Sequence, residues 1–344
     1  MKKYFPIKAG LLALGLLAVN SCAKNKEVEP SITNIAVTNP DFQELEDAAI
    51  RGNVAVLLGN KNTDPASGGN FTVFAPTNAA FSRLGLNTAQ DLGALQQSFL
   101  QNTLYYHVFS GLLPGSALTP GSSPSPGVFT TKLIPATATT PAIQPVTPTR
   151  RIIRRADGTL YVNGSKILGT DVKAANGLIH PIDKVLLATG GNVVQSAIAL
   201  QTAQVFVKPE LTFLVAAVVK CNLAGLLSAA GPYTVFAPTD QAFIDAGIPS
   251  VDAINNMNAT QVAALTGILA NHVLAGSLGD KFTPELPDGT SVTSFGTGSL
   301  QLGTFTNGVL TVKSRGITTP ANMVIPDVQC TNGVVHVIDR VLLP

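Results

Sequence analysis

The chain has 344 residues, of which 45% are hydrophobic and 12% charged, with 22 Lys and Arg against 20 Asp and Glu. That length and composition exclude a disordered chain and a single ordinary domain, and they fit two domains of about 150 residues each. The formal net charge is only +2, and three of the cations, Lys2, Lys3 and Lys8, sit in a leader expected to be removed, so no electrostatic case for nucleic acid remains.

Residues 1–22 read MKKYFPIKAGLLALGLLAVNSC. The three lysines precede an uncharged apolar run from Ala9 to Val19, too short for a bilayer, which needs about 20 residues, but suited to the core of a signal peptide. The run ends in Val19-Asn20-Ser21-Cys22, which resembles the bacterial lipobox. The resemblance implies a lipid-modified Cys22 that anchors the chain to a membrane without spanning it, each buried CH₂ contributing about 0.8 kcal/mol. Ala23 follows instead of Asp, which favours the outer membrane; the cell surface and the periplasmic face both stay open. Residues 23–38 are polar, lack a core pattern, and are expected to form a flexible tether.

Phe42, Leu45 and Ala49 then recur at helical spacing, followed by Val54, Leu57 and Leu58. Phe71 to Phe81 reads FTVFAPTNAAF. Thr72, Val73 and Phe74 predict a strand, Pro76 ends it, Thr77 is placed as a helix N-cap, and Phe81 turns back to the core. Thr88 to Val108 predicts one longer helix with Leu92, Leu95, Phe99 and Leu104 on a face and His107 near its C-terminus, where a partly charged imidazole is favourable. Residues 114–149 are rich in Pro, Ser, Thr and Gly and predict an extended exposed loop, either a binding loop or a tolerated insertion. Arg150, Arg151, Arg154 and Arg155 predict a strand or hairpin with solvated arginines. Asn176 to Leu187, NGLIHPIDKVLL, opens on a turn signal and runs into a strand around His180.

The same blocks return in the same order. Tyr233 to Phe243 reads YTVFAPTDQAF, 162 residues on, with Thr239 as cap and Asp240 adding negative charge in the first turn. The stretch around His107, TLYYHVFSGLL, corresponds to ILANHVLAGSL around His272. Asn332 to Leu343 reads NGVVHVIDRVLL, 156 residues after its first copy. Phe213, Val218, Leu223 and Leu226 repeat the upstream helical pattern, and the glycines of Phe295–Gly303 predict a turn between strands. All four histidines of the chain fall within the repeated blocks. His180 and His336 are expected to be hydrogen-bonded structural residues at a sheet edge, with Asp183 and Asp339 as partners. A metal site needs three or four convergent ligands, and each half offers two histidines and no cysteine pair at ligand spacing, so no metal is expected.

Both blocks resemble the signatures of the fasciclin family, over 39–188 and 191–344. The resemblance implies two tandem α+β domains, each a β-sheet wedge or sandwich with packed helices. It implies an adhesion or matrix-binding module whose ligand is a protein or glycan; the alternative is an envelope protein that binds a small molecule or lipid, or a partner in a multi-protein complex. By the same resemblance Tyr106-His107 would contribute to receptor binding, while the second half has Asn271-His272 there. The sequence has no G-x-S-x-G elbow, Walker loop, C-x-x-C or H-E-x-x-H, so neither an enzyme nor a cofactor is expected. Beyond Cys22 there remain Cys221 and Cys330, either bridged as a disulfide or present as two buried thiols.

Overall fold

The structure is a computed structural model and describes residues 29–124, 148–202 and 211–344. The leader, Cys22 and the central part of the Pro-rich stretch, 125–147, lie outside the described residues.

The first half begins with three helices, α1 (Ile32–Thr38), α2 (Gln43–Arg51) and α3 (Ala55–Gly59). Strand β1 (Phe71–Pro76) leads into α4 (Asn78–Ser82), α5 (Ala89–Ala94) and α6 (Gln97–Tyr106), then β2 (Val108–Ser110) and β3 (Gly121–Pro124). It closes with β4 (Thr149–Arg154), β5 (Leu160–Val162), β6 (Ser165–Lys166), β7 (Val172–Ala174), β8 (Gly177–Ile182) and β9 (Leu187–Ala188). The second half repeats the plan: α7 (Val193–Thr202), α8 (Thr212–Lys220), α9 (Ala224–Ser228), β10 (Tyr233–Pro238), α10 (Asp240–Asp245), α11 (Val251–Asn255), α12 (Ala259–Ala270) and β11 (Val273–Ala275). Strands β12 (Ser291–Thr293), β13 (Ser299–Leu302), β14 (Thr311–Ser314), β15 (Ala321–Cys330) and β16 (Gly333–Ile338) complete it, and the glycines between β12 and β13 form the expected turn.

In the first domain the sheet order is β2-β1-β8-β7, with a second sheet β3-β4-β5-β6. In the second, one continuous sheet runs β11-β10-β16-β15-β14-β13-β12. The two signature blocks meet in parallel register at the centre of each domain: Phe74 lies opposite His180, and Phe236 opposite His336. The Asn-Gly dipeptides make that approach possible. A Cβ on Gly177 would sit 1.8 Å from the Phe71 carbonyl oxygen, and one on Gly333 would sit 2.0 Å from that of Tyr233.

Several expectations need correction. The tether ends early: Ser31 caps α1 by accepting the Asn34 N–H, and Ile32 is buried, its N–H donating to Asn176 Oδ1 at 2.9 Å. Ile35 and Ala36 pack against the same apolar cluster as Ile32, and together they dock the helix. The helix expected over Thr88–Val108 is two helices broken at Leu95-Gln96, where both residues are extended. The Arg51 guanidinium takes up the carbonyls of Gly93 and Leu95 at the break. Val108 has already entered β2. Three of the four arginines lie in strand β4 and Arg155 follows it, but Arg150 is fully buried and Arg151 and Arg155 are ion-paired, so Arg154 alone of the four is exposed. His180 and His336 are not at a sheet edge, because β8 and β16 each have neighbours on both sides.

Apolar side chains gather into a cluster confined to the first domain, around Phe42, Leu92 and Leu104, and one confined to the second, around Leu300, Val312 and Leu342. The largest cluster runs through both, joining Phe74, Val162 and Leu187 to Phe243, Val328 and Val335. Strand β9, at the end of the first domain, pairs in parallel with β15 of the second, Leu187 with Val328 and Ala188 with Gln329. No helix among the described residues is long and apolar enough to cross a membrane.

Candidate functional site

The histidines of the two domains are held in matching ways. His107 and His272 follow directly on the ends of α6 and α12, and each directs Nδ1 at the carbonyl four residues back, Thr103 at 2.7 Å and Ile268 at 2.8 Å. Their Nε2 atoms accept backbone N–H groups from the closing segment, Leu186 at 2.9 Å and Leu342 at 2.8 Å. Each ring is therefore a neutral rivet between a helix end and the chain that closes the domain. Burial pulls both imidazoles down to about 4, so the charged form expected at the helix end is absent at neutral pH.

His180 and His336 also lie in the interior and are also held low by burial. Their Nδ1 atoms accept the backbone N–H of Asp171 and Asp327, both at 3.1 Å, and their Nε2–H groups donate to the carbonyls of Leu113 at 2.8 Å and Lys281 at 3.0 Å. The expected partners three residues on act elsewhere. Asp183 accepts from the Lys166 N–H and pairs with Arg83, and Asp339 accepts from Asn322. Asp183 and Asp339 lie one residue past the ends of β8 and β16, where their carboxylates turn to Lys166 and Asn322 instead of the histidine rings.

Other residues of the blocks carry weight that their sequence pattern did not reveal. Asn176 accepts the Ile32 N–H and donates to the carbonyls of Leu58 and Asn60; Asn332 accepts the Val193 N–H and donates to those of Leu227 and Ala229. Each ties the first helix of its domain to the third. Asp240 Oδ1 accepts the Phe213 N–H at the start of α8, and Asn78 Oδ1 accepts the Glu44 N–H at the start of α2. Thr239 caps α10 as expected, its hydroxyl accepting from Ala242 at 3.2 Å, but Thr77 makes no such bond and its Oγ1 faces the Ile182 carbonyl instead. Asp171 and Asp327 both adopt positive φ, and both stand nine residues before the histidine, a spacing the repeat does contain.

Tyr106, His107 and His272, expected at a ligand surface, are buried, with exposures of 0%, 1% and 2%. The Tyr106 hydroxyl lies 3.0 Å from the Thr149 carbonyl, accepts from Asn163 Nδ2 at 2.6 Å and touches Gln329 of the second domain. In the second domain Asn271 occupies this position, takes the Ser294 hydroxyl and donates to the Leu342 carbonyl. Arg150 lies beside Tyr106 between the rings of Phe74 and Phe109, 5.3 and 5.8 Å from their centroids, and donates to the Tyr106 carbonyl. Cys221 and Cys330 are separate buried thiols and not a disulfide, their sulfurs directed at different carbonyls, Val262 and Val328. Burial pushes the Cys330 thiol up to about 12.

Among the described residues, four ion pairs cross between the domains. Lys184 pairs with Asp327 at 2.7 Å, both side chains only 7% exposed, and also reaches the Gly308 carbonyl. Burial alone would raise the Asp327 carboxyl, but the Lys184 ammonium and the Thr283 N–H, at 2.7 Å, hold it below the usual carboxylate range. Arg151 bridges Asp280 and Glu285 while lying over the Phe282 ring at 4.9 Å; Arg155 pairs with Asp288 and lies over Phe305 at 4.5 Å. Among the described residues, no group of three or more His, Cys, Asp or Glu is placed to hold a metal.

The model of the fasciclin domain matches residues 40–188 and 209–344, and the chain belongs to the fasciclin family. It is a tandem pair of such domains. Transforming growth factor-beta-induced protein ig-h3 of Sus scrofa is 29% identical over 278 residues, 80% of this chain and 35% of that protein. Immunogenic protein MPB70 of Mycobacterium bovis is 34% identical over 145 residues, 40% of this chain and 64% of that protein. A fasciclin domain pair from the insect cell adhesion molecule fasciclin I matches with a TM-score of 0.38 at 19% identity, over 88% of this chain and 97% of that one. The chain spans about a third of the length of its ig-h3 relative.

Proposed function

We propose that this protein is a lipid-anchored envelope or surface protein of the outer membrane that works by binding, as an adhesion or matrix-binding module, and catalyses no reaction. The observation that carries the reading is the use made of the signature side chains. The four histidines and the asparagines of both closing blocks are spent on backbone hydrogen bonds that hold the domain together. What the fold leaves to the outside is a broad surface on a stiff frame, which suits recognition of a protein or glycan. The leader and Cys22 supply the route to the envelope.

Protease treatment of intact cells tests the reading. An accessible chain that also confers attachment to matrix-coated surfaces, with both lost in a Cys22→Ala variant, is the expected outcome. A chain that stays protected in intact cells and is freed by outer-membrane disruption would remove the adhesive role.

A further inference from the structure

Each domain encloses an apolar cavity at the same place in its fold. In the first domain it measures about 120 Å³ and lies among α1, α2, α3, β1 and β8, with Ala36, Phe42, Ala49 and Leu58 in its wall and His107 at its base. In the second it measures about 60 Å³ and lies among α7, α8, α9, β10 and β16, with His272 in the equivalent position. The only imidazole in each wall has both nitrogens committed to backbone partners. The first wall also carries Thr33, whose hydroxyl donates to the Ala55 carbonyl, and Glu46; the rest of it is apolar, so the cavity offers little to water or to a polar guest, and apolar cavities near 150 Å³ stay dry and admit benzene-sized molecules. The mouth is apolar as well. Val37 and Ile50 line the first cavity while being 50% and 61% exposed, and Val219 lines the second while 65% exposed.

We propose that the first-domain cavity is a binding site for a single-chain lipid: the end of one hydrocarbon tail fills the space above His107, and the rest of the tail crosses Val37 and Ile50 towards water. Three features select that class. The interior is built for carbon. The volume admits one chain and no more. The exposed methyl rim continues the apolar path beyond the cavity, which a compact guest such as benzene would not use. A peptide inserting one apolar side chain would instead bring backbone amides onto that rim of methyl groups, where they would lose water without gaining partners. The second cavity, half the volume, is the weaker site.

Titration of the full-length protein with cis-parinaric acid, followed by its fluorescence, tests the site. The expected result is saturable binding with one dominant site per chain, displaced by palmitate and not by glucose. Filling the cavity with Ala36→Phe and Ala49→Phe should weaken binding at least tenfold. The rim variant Ile50→Asp changes an exposed position, so it leaves the core intact and should weaken binding several-fold at an unchanged melting temperature. Filling the second cavity with Ala197→Phe should leave the dominant site untouched. Absence of saturable binding would overturn the proposal. So would binding that survives both the filled and the rim variants, that is lost in Ala197→Phe alone, or that a leucine-rich peptide displaces and palmitate does not.

Discussion

At the scale of single residues, the histidines set how stability depends on acidity. In the unfolded chain His107 and His272 titrate near 6.5, and in the fold near 4. The folded state therefore refuses protons that the unfolded state takes up between those values. Their contribution is fully present above about pH 6.5 and is lost as the pH falls towards 4, with a total on the order of a few kcal/mol. Calorimetric melting temperatures should fall across that window and stay level above it; a flat profile from pH 7 to 4 would contradict the assignment. Asp327 acts in the same direction at lower pH, since its depressed carboxyl stabilises the fold only while ionised. Replacing His107 with Phe should cost about 1–3 kcal/mol at pH 7, because the buried Leu186 N–H loses its acceptor. Urea denaturation would measure it.

At the scale of elements, the two copies act as internal controls. Thr239 caps its helix and Thr77 does not. Thr239→Ala should therefore cost about 1 kcal/mol and Thr77→Ala clearly less, read from chemical denaturation of the two variants. What the sequence made legible was local. Strand, proline stop and short helix follow from FTVFAPT and YTVFAPT, and the turn into the last strand follows from Asn-Gly. What it hid depends on distant chain. Ile32 docks into the first-domain cluster, where Asn176, 144 residues away, receives its N–H. The break at Leu95 is stabilised by Arg51 from another helix. Arg150 reads as a solvated charge in a basic cluster, and only the rings of Phe74 and Phe109 show why it is inside. Tyr106 reads as a surface motif for the same reason, since its hydroxyl partners come from β4, from the turn after β5 and from the neighbouring domain.

At the scale of the whole molecule, the repeat predicts two units, and the structure joins them through a shared apolar cluster and a buried ion pair. Lys184→Met leaves the Asp327 carboxylate buried without its ammonium and should cost about 3–5 kcal/mol. Calorimetry should then show a single transition for the native chain and two for the variant. A double change, Lys184→Met with Asp327→Leu, should recover much of that loss, because replacing a buried pair with apolar groups is often neutral.

The pairing of β9 with β15 has a practical outcome. The link between the halves is bonded on into Thr189, whose N–H donates to Gln329, and Gly191, whose carbonyl accepts from Thr331. A protease needs a few residues of free, extended backbone in its cleft, and 189–191 are engaged. Subtilisin, which accepts most residues, should therefore fail to cut the halves apart there, and a molecule nicked elsewhere should still elute as one particle on gel filtration.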